Sequence, residues 1–595
     1  MIDMSLLQKL YASPMPSSRT GVFYNTFAYP TKISPESIAV YIAVHTKPGD
    51  TVLDVFGGSG STGIAALMCE NPTDRMKAIA EKLGVHPTWG LRNAVLYEIG
   101  KYGAFASSIM ADPPSKSEFA AAVSQLLISA ENEIGDHYKT TAPSGESGTI
   151  RHIICSDIML CPHCNNEFTY YAGMVQCEPL AIDGNGVCPH CGYKDTSSSF
   201  HHVHETVFDS LLDKQVKRRK RVPVRIYGQS GCQKWVRDAT AADIADIDAF
   251  NALASPPYCR THEIKWGELY RAGYHSGITH LHHFYTKRNF LVMSYLWEKA
   301  SVFPQRVCNA IRLLLLSYNA THATLMTRVV VKKNSKDFVL TGAQSGVLYI
   351  SSLPVEKNIV EGIRRKKSKF EEAFDFLGNC SGRIEVFNKS SRYLSQAEQS
   401  VDYIFTDPPF GDFIPYAEVN QINELWLGDP TNRDEEIIIS QSQNKEVEQY
   451  QEMMTDVFIE MNRVLKSDGY ATVVFHSSKA AVWNALCMAY TESGFNVSDT
   501  ASLDKNQVSF KQVVSECAVQ GDPMILLAKG PGKKSVRDSR IVLDEAIAGE
   551  NIARKFDERR IYADYIGKCL KLGIKVDYDA KAAYSYIAKK AGAMT

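Results

Sequence analysis

Apolar residues fall into two stretches with the rhythm of alternating strands and helices, and a differently patterned region lies between them. In the first stretch, Ile33 to His45 has helical apolar spacing. Lys47-Pro-Gly-Asp50 then turns the chain into an apolar strand over 51–56. A glycine turn, Gly57-Gly58-Ser59-Gly60, leads to a small apolar helix over 62–69, with Ser61 as its cap. A further strand is predicted at 94–98, ending in Glu98. In the second stretch, strands are predicted at 383–388 and 401–406. Val447, Tyr450, Met454, Val457, Met461 and Val464 keep a helical period that Gly469 is expected to end. A strand over 470–475, a helix near 480–493, a turn at Gly494 and strands at 495–497 and 524–528 complete the pattern. About seven strands with intervening helices predict an α/β fold, a three-layer Rossmann-like sheet.

The intervening region breaks this rhythm. Thr140 to Gly148 is rich in Ser, Thr, Pro and Gly and reads as a linker. The expected organisation is therefore a first half-domain at 1–140, an insertion at 141–380, a second half-domain at 381–530 and a charged, aromatic helical tail at 531–595. With 595 residues the chain exceeds what one core supports, so several domains are expected. Its 45% hydrophobic and 22% charged residues are those of an ordinary globular protein. No apolar run of about 18 residues occurs, and the start lacks a basic segment followed by an apolar core. A membrane span is not expected, and the cytoplasm is the expected compartment. The net charge of −1 carries no signal for a polyanion. Two basic runs do, Lys217 to Arg221 and Arg364 to Lys369, read as solvated faces or as phosphate contacts.

Three motifs carry chemistry. Cys161-Pro-His-Cys164 and Cys188-Pro-His-Cys191 are two C-x-x-C knuckles, so four thiolates at Cys161, Cys164, Cys188 and Cys191 are expected to close a structural Zn²⁺ shell, a zinc ribbon within 155–195. His275, His280, His282 and His283 suggest a second metal, but capping, core packing or phosphate contact is the expected role. The glycine turn after a strand lets backbone approach a ligand that a Cβ would obstruct. It departs from the spaced G-x-G-x-x-G fingerprint and has Phe56 at its entrance, which suits S-adenosyl-L-methionine (AdoMet), a cofactor without a pyrophosphate. Asp54, Phe56, Gly58, Gly60 and Thr62 are the candidate contacts, and Glu98 is placed to accept from ribose hydroxyls.

The third motif is Asp407-Pro408-Pro409-Phe410 at the end of a predicted strand. Exocyclic amines of nucleobases are poor nucleophiles because their lone pair is delocalised into the ring. Asp407 and the Pro408 carbonyl are suited to accept both amine protons, Pro409 stiffens the loop and Phe410 offers a stacking face. A base inside a duplex must be flipped to reach such a pocket. A second sequence of this shape, Ser255-Pro256-Pro257-Tyr258, follows a helix-prone segment rather than a strand and is the weaker candidate.

With these motifs in view, the chain resembles the adenine-specific DNA methylases that contain a zinc ribbon. The likeness is carried by Phe27-Ala-Tyr29-Pro30-Thr-Lys32-Ile33-Ser-Pro35, Asp54 to Gly60, Thr406 to Asp412, Pro415-Tyr416-Ala-Glu418, Glu424-Leu-Trp426-Leu, Phe475-His476-Ser-Ser-Lys479 with Trp483, and Trp266 to Arg288. It covers about residues 20–530. Two departures are Phe410 in place of the commoner Tyr and Val55 in place of the usual Pro. The resemblance implies that Tyr29, Lys32 and Ile33 pack on the AdoMet adenine. It also implies methylation of adenine N6 in DNA, and a role in restriction–modification or phage defence with restriction or defence subunits as partners. Cytosine N4 methylation, RNA methylation and a non-catalytic zinc-ribbon subunit that binds nucleic acid are the alternatives.

Overall fold

A computed structural model describes residues 4–17, 20–333, 335–505, 522–549 and 557–594. Parts of the expected second half-domain and tail, at 506–521 and 550–556, lie outside the described residues. In chain order, the first stretch contributes α1 (Met4–Ala12), β1 (Met15–Ser17), α2 (Pro35–His45), β2 (Thr51–Asp54), α3 (Ser61–Met68), β3 (Asn93–Tyr97), α4 (Lys101–Ala111) and α5 (Lys116–Ile134). The intervening region contributes β4 (Ser147–Leu160), β5 (Arg221–Ser230), β6 (Gln233–Asp238), α6 (Lys287–Lys299), α7 (Gln305–Tyr318), β7 (Val355–Lys357) and α8 (Ile359–Leu377). The second stretch gives β8 (Ile384–Phe387), β9 (Val401–Thr406), α9 (Tyr416–Leu427), α10 (Val447–Val464), β10 (Leu465–Val474), α11 (Ala480–Glu492), β11 (Phe495–Lys505) and β12 (Asp522–Lys529). Three helices follow, α12 (Ser539–Gly549), α13 (Glu558–Leu572) and α14 (Ala580–Met594).

Both sequence stretches build one eight-stranded sheet in the order β1-β11-β12-β10-β9-β2-β3-β8. Strands β9, β2, β3 and β8 run parallel to one another, and β12 is antiparallel to both of its neighbours. Alternation along the strands divides the core between the two faces. Val52, Tyr403, Phe405, Val474 and Met524 pack with α2, α3 and the helices of the intervening region. Leu53, Ile404, Val473 and Ile525 pack with α10, α11 and α13. The result is a sheet covered by helices on both sides, as the apolar rhythm predicted.

Several expectations change. The helix through Val447 ends at Val464, not Gly469, because Leu465 already pairs with Val401 in the sheet. Gly469 lies inside β10 at a register shift, where a Cβ would come within 3.0 Å of the Asp402 carbonyl. Ser61 is not a cap: Gly60 occupies that position with φ 77°, and Ser61 is the first helical residue. The supposed linker at 140–148 is a hairpin in which Lys139–Thr141 pairs with the start of β4. The insertion is organised around β4, which carries β5, β7 and three short strands in an antiparallel sheet. The tail is helical, and α13 lies against β11 and β12 and buries Ile561, Tyr565 and Ile566 in the main core.

Candidate active site

Strands β2 and β9 lie side by side, with Val52 opposite Tyr403 and Leu53 opposite Ile404. This is where the strand order reverses, so the loops leaving their carboxyl ends diverge and open a crevice. One buried carboxylate fastens those loops together. Asp54 Oδ2 accepts from Thr62 Oγ1 at 2.6 Å, and Oδ1 accepts from Thr406 Oγ1 at 2.7 Å and from the Phe56 N–H at 3.0 Å. Burial pushes the Asp54 carboxyl above its ordinary range, and the three donors oppose that rise. Asp54, expected as a cofactor contact, lines the cleft and also ties the glycine turn, the first turn of α3 and the residue before Asp407 into one unit. Thr406 stood within a quoted motif, but nothing in sequence spacing reveals that it meets Asp54.

The glycine turn is packed from outside. Gly58 has φ 49°, and a Cβ there would sit 3.2 Å from the Tyr29 ring. A Cβ at Gly103 in α4 would lie 2.7 Å from the Gly58 carbonyl, so that glycine lets α4 close on the turn. Glu98 accepts from the Gly58 N–H and the Gly100 N–H, both at 2.6 Å, one on each carboxylate oxygen. Burial pushes its pKa up to about 7, with the two N–H donors acting against the rise and Asp54 and Glu424 adding to it.

A cleft of about 940 Å³, continuous with solvent, lies between the loops. Of the residues singled out from sequence, Tyr29, Lys32, Ile33, Asp54, Phe56, Gly58, Thr62, Glu98, Asp407 and Pro409 line it. Gly60 and Pro408 do not form its walls. Nor does Phe410: its ring is 5% exposed and meets Phe475 edge-on at 5.5 Å, with Phe413 at 6.2 Å. The stacking face expected of Phe410 is thus spent in the core, where an aromatic ring buries more area than a loop tip offers. Lys32 reaches the cleft wall, yet its ammonium donates to the Phe23 carbonyl at 2.7 Å and lies 4.0 Å over the Phe27 ring. Burial, with the Lys366 charge adding to it, pulls its pKa down to about 7.

Sequence reading missed part of the wall. Tyr29 is stacked between Tyr102 and Tyr416 at 6.2 and 6.3 Å, and Tyr416 faces the cleft. Lys389 to Ser391 and Glu435 to Ile437 complete it. Glu424 is fully buried and accepts from the Tyr102 N–H, the Thr431 N–H and Thr431 Oγ1, which fixes the start of α4 beside the turn. The competing Ser255 loop follows the helix Ala241–Ala252, bonds Ser210 and Lys287, and is not part of the cleft.

Away from the cleft, the sulfurs of Cys161, Cys164, Cys188 and Cys191 lie within 4.8 Å of one another and could hold a metal ion. Each knuckle ends in a left-handed residue, Asn165 or Gly192, whose N–H returns to the first cysteine's carbonyl. The Cys161–Cys191 and Cys164–Cys188 sulfur pairs are each 3.7 Å apart. A tetrahedral ion with metal–sulfur bonds of about 2.3 Å requires sulfur–sulfur edges of roughly 3.8 Å. The donors fit. Asp209, His282 and His283 also converge. There the hydrogen bonds argue against a metal. His283 Nδ1 accepts from the Thr279 N–H at 3.1 Å, so its proton sits on Nε2 and is donated to Asp209 Oδ2 at 2.9 Å. His282 Nε2 meets the same oxygen at 2.7 Å. His275 is buried and bonds the Leu348 carbonyl.

Residues 8–73 and 401–567 match the DNA methylase family model. The two segments hold the glycine turn and the Asp407 loop, leave out the residues between, and extend into α13. No curated protein matches the chain. The match supports a DNA methyltransferase, with AdoMet as donor and DNA as partner. No helix among the described residues is long and apolar enough to cross a membrane.

Proposed function

We propose that the chain transfers a methyl group from AdoMet to the exocyclic N6 amine of a flipped adenine in DNA. The observation that carries this reading is that one cleft is walled by both the glycine turn and Asp407, joined through Asp54. AdoMet, when bound, supplies an electrophilic methyl group. Tyr29, Ile33, Phe56 and Glu98 offer an aromatic and apolar wall with one acceptor, the set a nucleoside needs. Asp407 accepts a hydrogen bond from the amine, which draws the nitrogen lone pair out of the ring and makes the amine nucleophilic. The cytosine N4 amine meets the same requirement, and the matching family model covers both acceptors. The four-cysteine cluster would hold a structural Zn²⁺ with no open position. Restriction or defence subunits as partners rest on the resemblance alone.

Asp407→Ala is expected to abolish transfer of label from radiolabelled AdoMet to DNA while leaving AdoMet binding in place. Retained turnover in that variant refutes the assignment. Mass spectrometry of nucleosides from the methylated DNA decides the acceptor: N4-methylcytosine as the product overturns adenine, and label found only in RNA overturns DNA.

A further inference from the structure

The basic run on α8 splits into two sets of opposite character. Arg364 pairs with Glu131, Lys367 with Glu371 at 3.2 Å and Lys369 with Glu372 at 3.1 Å. In the other basic run four of the five cations are paired: Arg219 and Arg221 both hold the buried Asp157, Lys220 holds Glu167 and Arg218 holds Glu205. Arg365, Lys366 and nearby Lys357 behave differently. None of the three forms an ion pair with a described carboxylate. Lys357 Nζ instead donates to His322 Nδ1 at 3.1 Å, and Lys366 Nζ donates to the Asn25 carbonyl at 3.2 Å.

These groups crowd one another. Burial and the charges of Lys357, Lys366 and Arg365 drive the His322 pKa down to about 3, so its imidazole is neutral and serves as an acceptor. Burial lowers Lys357 and Lys366 to about 8, with Arg365 adding to the effect on Lys357. A fold gains nothing from gathering like charges this way without an anion among them. The four side chains are half-buried or exposed, within reach of a large ligand.

Two segments that touch this cluster run on to the cleft. Asn25 lies in the segment that continues to Tyr29 and Lys32. His322 lies in a turn held to α9 by Asn319 Nδ2, which donates to the Ile422 carbonyl at 3.1 Å and to Asn423 Oδ1 at 2.9 Å. Tyr416, at the start of α9, faces the cleft.

We propose that Lys357, Arg365 and Lys366, with His322 between them, form a site that binds backbone phosphates of the DNA whose base enters the cleft. This rests on the reading of the cleft as a base pocket, and it assigns the phosphate track to the cations that no described carboxylate pairs rather than to the basic runs as a whole. The test compares two triple variants of the full chain that change net charge equally: Lys357→Gln with Arg365→Gln and Lys366→Gln, and Arg364→Gln with Lys367→Gln and Lys369→Gln. Affinity for a DNA duplex is measured by fluorescence anisotropy across a salt series. Each lost phosphate contact lowers the slope of log affinity against log salt by about 0.9. The Lys357, Arg365 and Lys366 triple should therefore lose roughly 2–3 from the slope, and the ion-paired triple should keep the original value. Lys357→Arg should retain the slope, and Lys357→Gln alone should reduce it by about 0.9 if the triple does not fold. Without DNA, the Lys357→Gln variant should melt no earlier than the parent, since it removes a repelled charge.

Equal slopes for the two triples overturn the proposal. So does a parent chain that binds no DNA, or one that shows this dependence only with RNA. Failure of methyl transfer with the effect of the Lys357, Arg365 and Lys366 triple intact would instead count against the function proposed above and leave the phosphate site standing.

Discussion

Glu98 gives the cleft a defined pH response. Its carboxyl is raised from the ordinary 4.5 to about 7 by burial. At pH 6 about a tenth of the molecules then hold it ionised, and at pH 8 about nine tenths do. A ribose diol donates hydrogen bonds, and bonds to an ionised acceptor are roughly twice as strong as those to a neutral one. If Glu98 contacts the ribose, AdoMet affinity should rise up to about tenfold between pH 6 and pH 8 and then level off. Stability of the ligand-free protein should move the other way. The folded state keeps a proton on Glu98 between pH 4.5 and 7 that the unfolded chain has released, so unfolding free energy falls as pH rises through that window. The full shift bounds the loss at about 3.5 kcal/mol, and partial exposure reduces it. Isothermal titration calorimetry from pH 5.5 to 8.5 measures the first trend and thermal scans measure the second. Glu98→Gln should flatten both. Equal affinity across the range in the parent protein would falsify the ribose contact.

Other expectations follow from single contacts. Thr406→Val removes one of three donors to the buried Asp54 and should cost about 1.5–3 kcal/mol, seen as a lower apparent Tm at a fixed scan rate, whereas Thr406→Ser keeps the hydroxyl and the stability; equal losses in both variants would discredit the clasp. Gly58→Ala imposes a left-handed φ on a residue with a Cβ, at roughly 1–2 kcal/mol, and presses on Tyr29, so AdoMet affinity should drop about tenfold or more, and unchanged affinity would argue against the turn as the cofactor contact. Metal analysis should find one zinc per chain, lost in Cys188→Ser; a second equivalent lost in Asp209→Asn would contradict the proton placement on His283.

How much could be read from the sequence depended on whether the governing interactions were local. The seven strands and α10 follow from apolar periodicity, because neighbours in sequence decide which face is buried. The four cysteines and the glycine turn are local as well. What escaped was set by contacts across hundreds of residues. Thr406 meets Asp54 across 352 positions and Thr431 meets Lys101 across 330, so neither bond leaves a trace in spacing. Phe410 misled for the same reason: its position beside Asp407 suggested stacking, and only Phe475 and Phe413 show that the ring faces the core. The basic runs were legible only as charge, since charge density along the chain does not show which lysines meet a glutamate.

The strand order has a consequence for synthesis of the chain on the ribosome. β2 emerges early, but its partner β9 follows some 350 residues later, and β1 pairs Met15 with Leu503. At translation rates of about 5–20 residues per second, β1 waits on the order of half a minute or more for its neighbour. The β4 sheet takes most of its strands from a compact span and can form in that interval. The early apolar strands must remain shielded meanwhile, so expression at low temperature or with added chaperones should raise the recovered yield more than any change of buffer.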